Sequence, residues 1–219
     1  MPDLLDDIET ACRVCGCTEN HACDGGCCWV PDPLMLGELC STCAVRPCVG
    51  GLDLSIAATG VAHWADLRTE TWSCHLDGDQ RLTEIRLRLA DYLDPGTGCT
   101  PELVLIEDLL FSPRAAKSTG ITSMVHGVVR CELLARRIPF LLIPPATLKT
   151  YATGSGGASK PDMRMELFKR TGRDVADDNQ VDAWYLRALG LDLLGAPLLE
   201  LPKDHRRALD KLTLPAGVG

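Results

Sequence analysis

Two runs rich in apolar residues each contain one acid, and that placement constrains the fold more than any other feature. Asp53 interrupts "VGGLDLSIAATGVA", and Glu107 follows four apolar residues in "LVLIEDLLF". A carboxylate buried alone costs on the order of several kcal/mol unless it is paired or bound to a cation. Two on neighbouring strands repel each other, and neither has a Lys or Arg directly beside it in sequence. A divalent metal between them is the economical solution, so the fold is expected to bring these two distant strands together.

A third acidic group opens an apolar helix, "DVADDNQVDAWYLRALG". At about 100° per residue, Asp178 lies ~40° from Asp182 and Asn179 ~60° on its other side, whereas Asp177 is ~140° away. Asp178, Asn179 and Asp182 therefore face one point, and Asp177 reads as an N-cap or first-turn acid stabilised by the helix dipole. Capping would account for this cluster if the helix stood alone. Taken with Asp53 and Glu107 it is the weaker account. Oxygen ligands from two strands and a helix suit Mg²⁺ or Mn²⁺. Two such ions about 3.5–4 Å apart can activate a water and stabilise the leaving oxygen of an in-line displacement at phosphorus. The expected chemistry is that of a nuclease or phosphoryl transferase.

The surrounding pattern predicts an α/β class. Strands are expected over 52–58, 60–67 and 69–76, with Gly60 as the first turn, then a helix over 80–93 with Leu82, Ile85, Leu89 and Leu93 on one face. A buried strand "ELVLIEDLLF", a long helix over 118–137 and a second buried strand "PFLLIPP" follow, and the remainder is helical around a glycine-rich loop, "TGSGGAS". Strands alternating with helices after a meander imply a mixed sheet flanked by helices.

Nine of the twelve cysteines fall in the first 48 residues. "CRVC" and "CSTC" form a CxxC…CxxC pair, and Cys12, Cys15, Cys40 and Cys43 are the expected tetrahedral ligands of a structural zinc. Cys17, Cys23, Cys27, Cys28 and His21 offer material for a second site, but their spacing selects no single ligand set. Cys74, Cys99 and Cys131 read as core thiols. The organisation expected is a zinc-ribbon-like module over 1–48, a catalytic domain over 49–195 and a C-terminal tail over 196–219.

The net charge of −8 argues against a polyanion partner, but the charge is uneven. Residues 1–50 hold eight acids and two bases, whereas residues 112–173 hold eleven bases and three acids. That second stretch can supply a phosphate-binding face. No window approaches the ~20 apolar residues of a membrane span, and the acidic start lacks a secretory pattern. A soluble, cytoplasmic protein is expected, in a bacterial host's cytoplasm if phage-encoded.

The order of "GLDLSIAATGVA", "LVLIED", "PPATLKTYATGSGGASK" and "DDNQVDAWYLRAL" resembles the RuvC-type Holliday junction resolvases of the ribonuclease H-like superfamily, particularly bacteriophage forms, over residues 50–190. The resemblance implies a ribonuclease H-like fold, a homodimer, two metal ions per active site and nicking of opposed strands of a four-way DNA junction. Asp53 and Glu107 then correspond to the first two acids and Asp182 to the last. Many members carry Asp or His three residues before the final Asp, where this chain has Asn179. Either Asp178 takes over as ligand or Asn179 coordinates through its amide oxygen; the carboxylate, which neutralises Mg²⁺, is the assignment favoured. Lys149 and Lys160 flank the glycine-rich loop as the family's two backbone-contacting bases do. His126, on an apolar helix, reads as an interior or interface residue, and that helix is the expected dimer contact. The alternatives are a related nuclease acting on forks, flaps or RNA–DNA hybrids, and a non-catalytic zinc-containing DNA-binding protein.

Overall fold

A computed structural model describes residues 10–23, 26–30, 38–44, 47–66, 68–94, 100–109 and 116–218. The cysteine-rich segment pairs two short antiparallel strands, β1 (Trp29–Val30) and β2 (Leu39–Cys40), and a single helical turn, α1 (Ser41–Ala44), follows. Its small core consists of Cys12, Val14, Leu39, Cys40 and Cys43.

The main sheet begins with β3 (Val49–Asp53), β4 (Ala58–Ala62) and β5 (Thr69–Ser73), paired antiparallel in succession. Helix α2 (Gln80–Leu93) leads to β6 (Leu103–Glu107), and α3 (Ala116–Ala135) leads to β7 (Phe140–Ile143). Both β6 and β7 add in parallel on the far side of β3, giving the order β5-β4-β3-β6-β7. This is the mixed α/β sheet expected. The rest is helical: α4 (Pro145–Thr153), α5 (Lys160–Thr171), α6 (Asp178–Leu193), α7 (Lys203–Arg206) and a 3₁₀ turn, Leu209–Lys211.

Strand parity distributes the central side chains. Val104 and Ile106 join Leu52 in a core beneath α2 and α3, while Leu103 and Leu105 join Val49 in a second core beneath α4, α5 and α6. A strand covered on both faces must be apolar at successive positions, which is why "LVLI" shows no alternation. The same parity turns Asp53 and Glu107, each the last residue of its strand, toward the α6 face.

Helix α6 is buried on every side from Val181 to Asp192. It crosses β3 and β4 at a distance that only glycine permits. A methyl group on Gly51 would overlap the carbonyl oxygen of Ala183, and one on Gly60 would overlap that of Asn179. This corrects the expected turn at Gly60. Gly60 lies inside β4, paired with Asp53 and Thr71, and the chain reverses earlier, where the Thr59 hydroxyl donates to the Ser55 carbonyl at 2.7 Å. The glycine provides clearance for the helix rather than a bend. The first strand also starts earlier than expected, because Val49 and Gly50 find partners in Leu103 and Val104.

The stretch set apart as a tail packs onto the same body. Leu198, Leu199, Leu201, Leu209, Leu212 and Leu214 pack against the α4–α6 core, and Arg206 pairs with Asp192 at 2.8 Å. Of the three scattered cysteines, Cys131 is exposed on α3 rather than in the core, Cys74 is partly buried and donates to Glu84, and Cys99 lies outside the described residues. Among the described residues, no helix is long and apolar enough to cross a membrane.

Replacing Gly51 or Gly60 with alanine should therefore lift α6 off the sheet and lower stability by about 1–3 kcal/mol in denaturant unfolding. Gly157→Ala, which meets open space, should stay within about 0.5 kcal/mol of the parent.

Candidate functional site

The parallel pairing places Leu52 opposite Ile106, so Asp53 and Glu107 emerge one residue further along at the same end of these two central strands. Helix α6 supplies Asp182 from above. One carboxylate oxygen from each of Asp53, Glu107 and Asp182 lies within 4.8 Å of the other two. The start of α6 is fastened on two sides. Asp177, the N-cap, accepts from the Asn179 backbone N–H at 2.9 Å and from the Thr71 hydroxyl at 2.6 Å, and the Thr69 hydroxyl donates to Gln180 at 3.0 Å. The capping role expected for Asp177 is what the helix shows.

The electrostatics record the crowding. Burial, reinforced by the Asp182 charge, raises the Asp53 carboxyl to about 6. Burial and the charges of Asp53 and Asp182 raise Glu107 to about 8. Burial likewise raises Asp182, although Lys160 opposes the shift. Lys160, the first residue of α5, brings its Nζ to 3.3 Å from Asp182 Oδ2. Burial would lower this ammonium's pKa, but Asp182, Asp53 and Asp178 outweigh it and raise it. The positive charge missing from the local sequence is thus supplied from far along the chain. One ammonium against three carboxylates still leaves a deficit of two charges when all are ionised. An all-oxygen donor set with that deficit fits a divalent cation.

Asp178 occupies the first turn of α6, exposed and outside the trio, near enough for its charge to act on Asp182 and Lys160. Lys149, on α4, is also close enough to act on Asp182. The loop between them is built from a left-handed Gly154 ending α4 and a Ser159–Asp162 capping box starting α5. His126 is buried, and burial lowers its pKa.

In the N-terminal module the thiols gather into two overlapping sets: Cys12, Cys15, Cys17 and Cys40, and Cys17, Cys23, Cys27 and Cys40. Three of the four expected zinc ligands are in the first set. The fourth, Cys43, is buried but lies outside both sets. Its pKa is raised by the Cys15 contact and by burial, whereas contact with Cys43 holds the Cys15 thiol down to about 4. Sequence reasoning left Cys17 unassigned because only the folded turn brings it back to Cys12, where the Cys12 backbone N–H donates to the Cys17 carbonyl at 2.8 Å.

No family model matches the chain. The crossover junction endodeoxyribonuclease RuvC of Endomicrobium trichonymphae is 30% identical over 106 residues, which are 48% of this chain and 54% of that protein. The chain thus spans about half the length of the curated relative it matches. A structure of Thermus thermophilus RuvC superposes with a TM-score of 0.55 at 18% identity, covering 69% of this chain and 99% of that one. The fold is the RuvC fold. A second RuvC structure, from T. thermophilus in complex with Holliday junction substrate, superposes with a TM-score of 0.54 at 20% identity over 64% of this chain and 89% of that one. In this RuvC-like body the acids converge where the parallel strands end, and the cysteine module is attached ahead of β3.

The raised carboxyl pKa values set a pH dependence. Folded-state values above those of the unfolded chain mean that the native protein binds more protons between about pH 4 and pH 8, so its stability falls as pH rises through that window. In EDTA the melting temperature should therefore decline from acidic pH toward about pH 8. Mg²⁺ should restore it most at the upper end, where the trio is ionised. Glu107→Gln should raise stability in EDTA at about pH 8, by on the order of 1–3 kcal/mol, and should lose most of the Mg²⁺-induced shift. A Mg²⁺ response independent of pH would contradict this electrostatic account.

Proposed function

We propose that this chain is a metal-dependent, structure-selective endonuclease, a crossover junction endodeoxyribonuclease that resolves four-way (Holliday) or other branched DNA junctions. The observation that carries the reading is the convergence of Asp53, Glu107 and Asp182 on one point, with Lys160 against them, at the strand ends of a RuvC fold. The 30% identity to a RuvC enzyme supports the same activity.

Two Mg²⁺ or Mn²⁺ ions, when bound, supply an activated water and stabilise the charge that develops on the leaving oxygen. Asp53, Glu107 and Asp182 would hold them, and ionisation of Glu107 prepares the site. Asp178, one helical turn before Asp182, is the proposed fourth ligand on the open side. Lys160 neutralises Asp182 before a cation arrives and can then turn to a backbone phosphate. Lys149 would grip the phosphate backbone beside it, where the glycine-rich loop permits close approach.

The basic stretch is partly neutralised within the fold. Arg136 pairs with Glu132, Arg164 with Asp174, and Lys169 and Arg170 with Glu166. DNA contact on this reading therefore centres on the two lysines at the site rather than on the whole run. Intact acids with strongly raised pKa values speak against a merely architectural DNA-binding role.

A four-way junction presents two equivalent strands to cut, so a two-fold homodimer with one site per subunit matches its symmetry. Helix α3 has a face suited to that contact. Val125, Val129 and Leu133 are buried in the body, while Gly120, Met124, Gly127, Cys131 and Leu134 form an exposed line at four- and three-residue spacing. Both glycines meet open space, so a second helix could approach closely. The cysteine module is read as a structural zinc site on Cys12, Cys15, Cys40 and Cys43 that braces the first strand or receives a protein partner. Its acidic charge argues against direct contact with DNA.

In a Mg²⁺ cleavage assay the four-way junction should be cut in preference to a fork, a flap or linear duplex, with paired symmetric nicks. Asp53→Asn should lower the rate at least about 100-fold without loss of fold. Equal cutting of all four substrates would replace junction resolution with a general nuclease reading, and preferred cutting of forks or flaps would select that alternative. Leu134→Arg should shift the sedimenting species from dimer to monomer and convert paired nicks to single ones. An unchanged dimer would place the interface elsewhere.

A further inference from the structure

The thiol geometry contains more ligands than one zinc can use. Six cysteine sulfurs, those of Cys12, Cys15, Cys17, Cys23, Cys27 and Cys40, make up the two four-thiol sets, and each set has its ligand atoms within 4.8 Å of one another. Within the sets the sulfurs lie 3.8 Å apart for Cys15–Cys40, 3.6 Å for Cys17–Cys27 and 3.9 Å for Cys23–Cys40, and between the sets Cys15 and Cys23 approach to 3.6 Å. A disulfide needs sulfurs about 2.05 Å apart. A tetrahedron of sulfurs at the usual Zn–S distance of about 2.3 Å has an edge of about 3.8 Å. The separations within the sets match that edge. Two backbone N–H groups also point at sulfur, Cys23 N–H at Cys27 Sγ and Cys40 N–H at Cys12 Sγ, both at 3.4 Å. Such donors offset the negative charge of clustered thiolates.

Neither set can be filled independently of the other, because Cys17 and Cys40 belong to both. Cys43 offers a further thiol on one side, since it closes the CSTC motif that Cys40 begins, is buried, and belongs to neither set. Assigning Cys43 to the Cys12–Cys15 side frees Cys17 for the other. Cys40 then remains as the thiol common to both. Cys28 and His21 are exposed and stand outside the arrangement.

We propose that the N-terminal module binds two zinc ions in one cluster, the first held by Cys12, Cys15, Cys40 and Cys43 and the second by Cys17, Cys23, Cys27 and Cys40, with the Cys40 thiolate bridging them. This rests on the reading of the module as a zinc site and adds the second ion, its ligands and the bridge. The bridge adds a metal link between Cys23 and Cys27 and the turn that begins α1, to which the neighbouring Cys28 is already hydrogen-bonded through Ser41. A closed shell of sulfur leaves no water position, so the cluster is structural.

Native mass spectrometry of the full chain purified with zinc should show two zinc ions per chain, and the double variant Cys23→Ser/Cys27→Ser should retain one. One zinc in the parent chain would overturn the cluster while leaving a mononuclear zinc module intact; no zinc would overturn both. The bridge has its own readout, which needs no variant. On titrating the apo full chain with Co²⁺, the high-spin cobalt resonance should grow and then fall as the second ion couples through the shared sulfur. A signal that grows linearly to two equivalents would mean two separate sites and would overturn the bridging role of Cys40.

Discussion

The rest of the structure depends on keeping three carboxylates within a few ångströms of one another in a largely buried place. Left to themselves, Asp53, Glu107 and Asp182 would move apart or take up protons, and the upward shift of all three shows the cost of holding them. The force that overcomes this repulsion is packing elsewhere. Two apolar cores grip both faces of β3 and β6, and α6, buried all round, is pressed onto the sheet where glycines remove the side chains that would block it. The site is thus strained electrostatically and stable mechanically, which leaves it prepared for a cation.

Helix α6 links these requirements. Its first turn is pinned to β5 through Asp177 and Gln180, its second carries Asp182, and its far end is covered by the segment after residue 196. That segment supplies leucines to the core and Arg206 to the buried Asp192, which also lies 3.4 Å from the Tyr151 hydroxyl. A helix buried on every face, with charged Asp192 among its buried residues, needs neighbours on every face. The C-terminal segment is part of that enclosure.

The two proposed metal-binding regions differ in the way their chemistry requires. At the ends of two central strands Asp53 and Glu107 stay partly exposed, whereas the cysteines gather within a short stretch of chain. The first arrangement suits reaction and the second suits bracing.

Much of this was legible in the linear chain. The amphipathic helix at 80–93 has the bounds its periodicity predicted, Asp177 caps α6 as its angular position required, and an acid inside each apolar strand announced a shared site. These features are local, set by residue period and by the cost of burying charge, so the sequence alone determines them. What it could not determine depended on residues remote in the chain. Gly60 looked like a turn because its actual neighbour, the Asn179 carbonyl, is supplied by a helix more than a hundred residues later. Lys160 reached the acids only through the placement of α5, and Cys17 joined two ligand sets only when its loop folded back. Spacing along a chain records which groups a turn or a strand can present. Which of them meet is decided by packing in three dimensions, because close approach depends on what the intervening elements leave room for.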